Sequence, residues 1–347
     1  MIRFESDYLE GAHPKILEKL TQTNFEQSAG YGVDAHCERA RELIKKACEA
    51  PDAYVQFLVG GTQANTTVIA SVLKPYEGVL SAVSGHINVH ETGAVEATGH
   101  KVLGLESDNG KITAKQIKDA YLAHINDPTH EHMVKPVLVY ISQPTENGTL
   151  YSKSELEAIR SVCDETGLYL FVDGARCGYG LKSENNDVFL PDLARLADVF
   201  YIGGTKVGAL FGEAVVFTNR VLARDFRYMI KRHGGMLAKG RLLGIQFETL
   251  FEDGLYFEIS EHAMSLAIKI KYALLDMGIK MLFDSPTNQQ FPIFENSVYE
   301  KLSEKYSFSF WCTPDENSTA VRICTSWATK EENVDALLDD IRKALGK

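Results

Sequence analysis

The stretch that decides the fold runs Pro136-Val-Leu-Val-Tyr-Ile-Ser142, then Ser152-Lys-Ser-Glu155, then Leu168-Tyr-Leu-Phe-Val-Asp173. Its two ends are unbroken apolar runs of strand length, as expected of strands buried on both faces. Between them, Ser152 and Glu155 form a capping box that opens a helix running to about Thr166-Gly167. A strand, a crossover helix and a strand form a βαβ unit, so the two strands are expected to be parallel. The pattern continues on both sides. Downstream, Asp198-Val-Phe-Tyr-Ile-Gly203 and Glu213-Ala-Val-Val-Phe217 read as strands. Upstream, strands are expected at Ala53–Val59, Gly78–Ser84 and Lys101–Leu105, and helices at Glu38–Ala50 and Gln63–Leu73. A further helix opens at the capping box Thr113-Ala-Lys-Gln116. The expected fold class is α/β, a mostly parallel sheet with helices on both faces.

The last third reads differently. Ile259, Ala263, Leu266, Ile270, Leu274 and Met277 recur at helical spacing and mark one face of a long helix. Two strands near Ser307–Trp311 and Ala320–Cys324 follow, with a capping box at Thr329-Lys-Glu-Glu332. We expect a large domain over residues 1–247, including an N-terminal segment 1–20, and a small α+β domain over 248–347, with the boundary near Gly244–Asp253.

Composition narrows the function. The 347 residues carry a net charge of -11, with 45% hydrophobic and 24% charged residues, which fits a folded globular chain. An acidic balance argues against general nucleic-acid binding. No apolar run is long enough to span a membrane, and no secretory signal opens the chain. The six cysteines are scattered and form no CxxC pair, so reduced thiols and a cytoplasmic setting are expected.

In an open α/β sheet, ligands collect at the carboxyl ends of the strands. Three motifs stand there. Gly60-Gly61-Thr62-Gln63-Ala64-Asn65 follows a strand as a helix begins, where free N–H groups favour an anion. It has neither the GK[ST] of a Walker loop nor a GxGxxG fingerprint, and alone it could be an ordinary turn. Asp173-Gly174-Ala175-Arg176 ends a buried strand with a carboxylate that needs a cation; a cap or a pair with Arg176 would also satisfy it. Gly203-Gly204-Thr205-Lys206-Val207-Gly208 puts a lysine among small residues, which could also be a plain loop lysine. Jointly, an anion-binding turn, a strand-end Asp and a lysine 33 residues later form a constellation for pyridoxal 5'-phosphate. Lys206 would form the Schiff base, Asp173 would keep the pyridine nitrogen protonated, and the Gly61-Thr62-Gln63 turn would take the phosphate.

Asp173-Gly174-Ala175-Arg176 and Thr205-Lys206 resemble the fold-type I pyridoxal phosphate enzymes. More closely, the chain resembles the threonine aldolase and aromatic amino acid β-eliminating lyase family. The matching segments run nearly end to end: Phe4-Glu5-Ser6-Asp7, Gly30-Tyr31-Gly32-Val33-Asp34, Gly61-Thr62-Gln63-Ala64-Asn65, His86-Ile87 with His90-Glu91, and Val321-Arg322. The resemblance implies that His86 stacks on the cofactor ring and that Thr205 lies beside the cofactor. Arg176 is expected beside the ring hydroxyl or the substrate carboxylate, and Ser6 and Arg322 are expected to grip that carboxylate. One of Lys231, Arg232 or Lys239 would reach the phosphate of a neighbouring subunit, with Arg232 taken as the contact, in a homodimer or homotetramer with active sites at the interface. His86 could instead be a core histidine, or pair with His90 on a metal, but no third ligand is near, so no metal is expected.

Two departures stand out. Thr145 falls where many threonine aldolases place a second histidine, which makes it a candidate substrate contact; a threonine hydroxyl cannot serve as the base. His90 replaces an aromatic residue. The expected activity is retro-aldol cleavage of L-β-hydroxy-α-amino acids to glycine and an aldehyde, with His86, a water it holds, or His90 as base. β-Elimination or transamination on the same cofactor is the alternative, and a cofactor-free binding scaffold a second one.

Overall fold

The computed structural model describes residues 1–347. Seven strands form the central sheet: β1 (Tyr54–Leu58), β2 (Glu77–Ala82), β3 (Lys101–Leu105), β4 (Lys135–Ser142), β5 (Tyr169–Asp173), β6 (Val199–Gly203) and β7 (Glu213–Phe217). Their spatial order is β1-β7-β6-β5-β4-β2-β3. The pairs β4–β5, β5–β6, β2–β4 and β2–β3 are parallel, as the βαβ reading requires. β7 is the exception, antiparallel to both β6 and β1, because only a short loop joins Gly203 to Glu213. A parallel neighbour would need a crossover of a dozen residues or more.

The alternation along each strand divides two cores. Leu170 and Val172 of β5 pack into one apolar cluster, while Phe171 packs into the other; Phe200 and Ile202 of β6 divide from Val199 and Tyr201 in the same way. A sheet buried on both faces explains the unbroken apolar runs. Each fully buried Leu, Val, Ile or Phe contributes about 1.5–3 kcal/mol as an upper bound.

The crossover helix Lys153–Thr166 carries its capping box, with Ser152 accepting from Glu155 N–H, and ends at left-handed Gly167. The helix Ala114–Ile125 is capped in the same way by Thr113 and Gln116. The third expected box does not form. The C-terminal helix, Glu331–Ala344, starts from Lys330 without a side-chain cap, because the Thr329 hydroxyl accepts from Ser326 N–H at 2.8 Å.

The small domain has its own apolar core, built on strands Pro292–Glu295, Ser309–Asp315 and Ser318–Cys324 with the C-terminal helix. The long helix Leu255–Asp276 serves both domains: Leu255 to Met264 pack into the large core, and Leu266 to Leu274 into the small one. The cores therefore meet inside this helix. The stretch Gly244–Asp253 belongs almost wholly to another helix, Arg241–Glu252, packed so tightly that a Cβ on Gly244 would lie 2.5 Å from Cys37 N. The N-terminus is shared too. Ile2–Arg3 pair with Tyr306–Ser307, and Phe4 enters the small core, while Ala12 and Ile16 enter the large one.

Candidate active site

The ends of β1, β2, β4, β5 and β6 and the start of β7 all face one side of the sheet, and the candidate residues follow them. After β1, Gly60 is extended backbone with no side-chain cap, and the helix Gly61–Val72 begins. The N–H groups of Gly61, Thr62 and Gln63 thus lack intrahelical acceptors and, with the helix dipole, suit an anion. Gln63 can offer only its backbone there. Its side chain accepts from Val59 N–H at 3.2 Å and donates to the His233 carbonyl at 3.1 Å.

β5 delivers Asp173, which is buried and accepts four hydrogen bonds. Tyr201 Oη and Ala175 N–H donate to Oδ1; Tyr140 Oη and Asn65 Nδ2 donate to Oδ2. Burial and the nearby carboxylate push both phenols well above their usual range, so they remain donors. Four donors offset the cost of burying the charge. The strand exits are close: a Cβ on Gly174 would lie 2.0 Å from the Tyr201 carbonyl, so only glycine fits directly after Asp173.

Asn65 extends the network. Its Nδ2 donates to Glu91 Oε1 at 2.7 Å, and the same oxygen meets His86 Nδ1 at 2.7 Å. This contact favours a proton on Nδ1 and leaves Nε2 as the free ring atom when the imidazole is neutral. Burial alone would lower the His86 pKa. The Glu91 hydrogen bond and the carboxylates of Glu146 and Asp173 outweigh it, so the net shift is upward. Because the folded value lies above 6.5, the stability from this pair is whole below that pH and fades as pH rises through the raised value. Glu91→Gln is therefore expected to lower the His86 pKa in an NMR titration of the ring; an unchanged titration would refute the pairing. His90 lies next to His86, ring centroids 5.6 Å apart and tilted.

Arg176, expected beside the ring hydroxyl or the substrate carboxylate, has one edge already occupied. Its Nε and Nη2 are held by Asp7 at 2.7 and 3.1 Å, both groups buried. That edge cannot also grip a ligand carboxylate. Only Nη1 is left without a hydrogen bond, with Glu146 Oε2 at 4.0 Å. Asn288 Nδ2 also donates to Asp7, at 2.9 Å. Burial would raise the Asp7 pKa, but Arg176 and Lys206 hold it below the usual carboxylate range.

Lys206 follows β6, half-buried, with its ammonium 5.9 Å from the centroid of the exposed Tyr8 ring. Its turn is anchored by Glu213 of β7, which accepts from Thr205 Oγ1 at 2.8 Å and from Gly204 N–H at 3.2 Å. Thr205 Oγ1 also accepts from Gly212 N–H, at 3.0 Å. The Thr205 hydroxyl thus ties the turn before Lys206 to β7. Burial pushes the Glu213 carboxyl up to about 8.

Ser6 and Arg322 come together from opposite ends of the chain. Arg322 Nη2 donates to the Glu5 carbonyl at 3.3 Å and Nη1 to Gln289 Oε1 at 3.2 Å. Arg322 Nε and Ser6 Oγ are both buried without a partner. Unpaired buried donors are costly, and adjacent ones suit an anion such as a carboxylate.

Thr145 is the expected substrate contact. Its hydroxyl is 2.7 Å from Thr149 Oγ1 and accepts from Thr149 N–H at 3.1 Å, closing a turn. It braces the loop and lines a small cavity together with Glu146. Thr145→Val is expected to cost about 1–3 kcal/mol of stability, from the orphaned Thr149 N–H, in a denaturant titration. Cys177, expected beside the pocket, is buried in the large core with its thiol pushed up to about 12 by burial. Lys231, Arg232 and Lys239 are exposed on one segment, with Lys231 5.1 Å from the Tyr31 ring centroid.

Sequence reasoning missed Asp7, Asn65, Glu91 and Glu213 as working parts, though three of them lie in or beside quoted motifs. The available signal was each polar residue's position at a strand or helix end inside an apolar context.

The chain is similar to known proteins over nearly its whole length. A low specificity L-threonine aldolase of Pseudomonas sp. (strain NCIMB 10558) is 33% identical, covering 99% of this chain and 98% of that one. A solved threonine aldolase structure from Leishmania major superposes with a TM-score of 0.96 at 45% identity, covering 99% of both chains. An aspartate aminotransferase of Thermus thermophilus, TM-score 0.71 at 16% identity over 99% of this chain and 91% of that one, shares the fold. The beta-eliminating lyase family matches residues 4–292, which carry nearly all of the site just described. The chain belongs to the beta-eliminating lyase family.

Proposed function

We propose that the protein is a pyridoxal 5'-phosphate-dependent lyase that cleaves L-β-hydroxy-α-amino acids, of the threonine, allo-threonine and phenylserine type, to glycine and an aldehyde. The observation that carries this reading is that Ser6 Oγ and Arg322 Nε are buried without a partner, next to Asp7, which pairs with Arg176 and feels the charge of Lys206. The residues fit the cofactor. Asp173 would face the ring nitrogen, Lys206 the aldehyde, His86 the ring face, and the N–H groups of Gly61, Thr62 and Gln63 the phosphate. Bound there, the cofactor supplies an aldehyde carbon for the substrate amine and an electron-accepting ring.

The chain's own residues do the rest. Arg322 and Ser6 hold the substrate carboxylate, and the Nη1 of Arg176 adds one donor. This grip sets which bond at Cα stands across the ring plane, and so which bond breaks. His86 Nε2, directly or through a water, takes the proton of the β-hydroxyl, while Glu91 fixes the ring through Nδ1. Asp173, kept polar by its four donors, balances positive charge at the far side of the site.

The exposed Lys231, Arg232 and Lys239 suit contact with a phosphate across a subunit boundary, in a homodimer or homotetramer; Arg232 is our choice among them. No helix of the chain is long and apolar enough to cross a membrane. All six cysteines are free, in keeping with a reducing, cytoplasmic setting.

The test is incubation of the loaded protein with L-threonine, L-allo-threonine and phenylserine, followed by product identification. Glycine with the matching aldehyde is expected. Ammonia with a 2-oxo acid would show elimination instead, and no product from any substrate would refute the lyase reading.

A further inference from the structure

A small cavity lies beside His86, lined by Ser84, Gly85, Ser142, Thr145 and Glu146 among others. Its free space, about 10 Å³, is on the order of one water molecule, enough for a hydroxyl but not for a side chain. Two polar groups there have no partner within the chain. Ser84 Oγ is buried and unpaired. The Glu146 carboxylate makes no hydrogen bond, although its side chain is only 13% exposed; its nearest cation is Arg176 Nη1 at 4.0 Å. Its charge also helps to raise the pKa of His86, the residue after the cavity-lining Gly85. A carboxylate is an acceptor only, and one this enclosed needs donors.

We propose that Glu146 is a specificity-determining residue that accepts the single hydrogen bond of the hydroxyl on Cβ in the bound amino-acid substrate, before that proton is drawn to His86. The ligand class follows. An α-amino acid with a hydrogen-bond donor on Cβ fills the cavity and satisfies Glu146. One with no donor leaves the carboxylate unpaired, and one with an anionic side chain meets like charge. This inference rests on the proposed amino-acid lyase site and names what that site selects. Thr145, which lines the same cavity, closes the turn that carries Glu146.

The experiment measures dissociation constants of L-serine, L-alanine and L-aspartate for the cofactor-loaded protein, from the change in its visible absorption. The parent and Glu146→Gln are compared, with Glu146→Ala as a second variant should the first load poorly. A hydrogen bond to a charged group corresponds to about 10-fold or more in affinity. The parent is expected to prefer serine over alanine by about that factor and to exclude aspartate. Glu146→Ala is expected to lose most of the serine preference and Glu146→Gln to keep part of it through its neutral acceptor, while both bind aspartate about 10-fold or more tightly than the parent does. Unchanged serine-to-alanine and serine-to-aspartate ratios would overturn the proposal. The ratios do not depend on turnover. A parent that cleaves none of the hydroxyamino acids while the ratios shift refutes the lyase function and upholds Glu146; cleavage with unshifted ratios does the reverse.

Discussion

Lys206→Ala is expected to give a protein that folds but fails to hold the cofactor covalently, with a loss of cleavage on the order of 10³-fold or more. The lysine follows β6 in a turn fixed at Thr205 and Gly204 by Glu213, so its removal leaves that anchor intact. The side chain is only half-buried and makes no hydrogen bond to which the core is tied. Stability should therefore change little, while chemistry that needs an amine at that point disappears. Borohydride reduction of the loaded parent should fix the cofactor mass on the peptide containing Lys206. The variant should show no adduct there and no yellow colour after dialysis. Equal colour and an equal adduct in both would sink the covalent role.

Asp173 should show the opposite balance, with loss of both fold and activity. Asp173→Ala strands Tyr140 Oη, Tyr201 Oη, one Asn65 amide proton and Ala175 N–H inside a buried network. Leaving buried donors unpaired costs about 1–3 kcal/mol each before relaxation, and breaking one member of a buried charged network costs about 3–5 kcal/mol in total. A fall of that size in unfolding free energy of the cofactor-free protein is expected in a urea titration. Asp173→Asn keeps the shape and should lose less stability, yet its activity should still fall by about 10²-fold or more, because the charge at the far side of the site is gone. A stability loss under about 1 kcal/mol for Asp173→Ala would show that the four hydrogen bonds do not hold the site together.

The parts of the site differ in how far they could be read from sequence, and the difference has a physical cause. Lys206, Asp173 and the Gly61 turn are visible because each breaks a local rule: a charge or a glycine pair where an apolar element ends. The capping boxes at Thr113 and Ser152 form because their partners lie three residues away and nothing competes. The box expected at Thr329 is lost because Ser326 N–H, equally local, takes the same hydroxyl. Arg176 was legible as a cation near the site, but its ion pair with Asp7 joins residues 169 apart in sequence, and no pattern announces it. Glu91 stands in a quoted segment, yet its role as the partner of His86 and Asn65 exists only once the helix after β1 meets the segment after β2.

The sequence by itself determined the strand-crossover-strand core, the parallel pairing that follows from crossover lengths, and the chemical kinds gathered at one end of the sheet. These rest on period, chain connectivity and residue chemistry, which are local. Only the tertiary structure decided that the long helix is shared by two cores, that one edge of Arg176 is occupied by Asp7, and that Glu146 is left without a hydrogen bond at the cavity. Each of these depends on which hydrogen-bond partner wins when distant segments meet, and that competition is settled by packing.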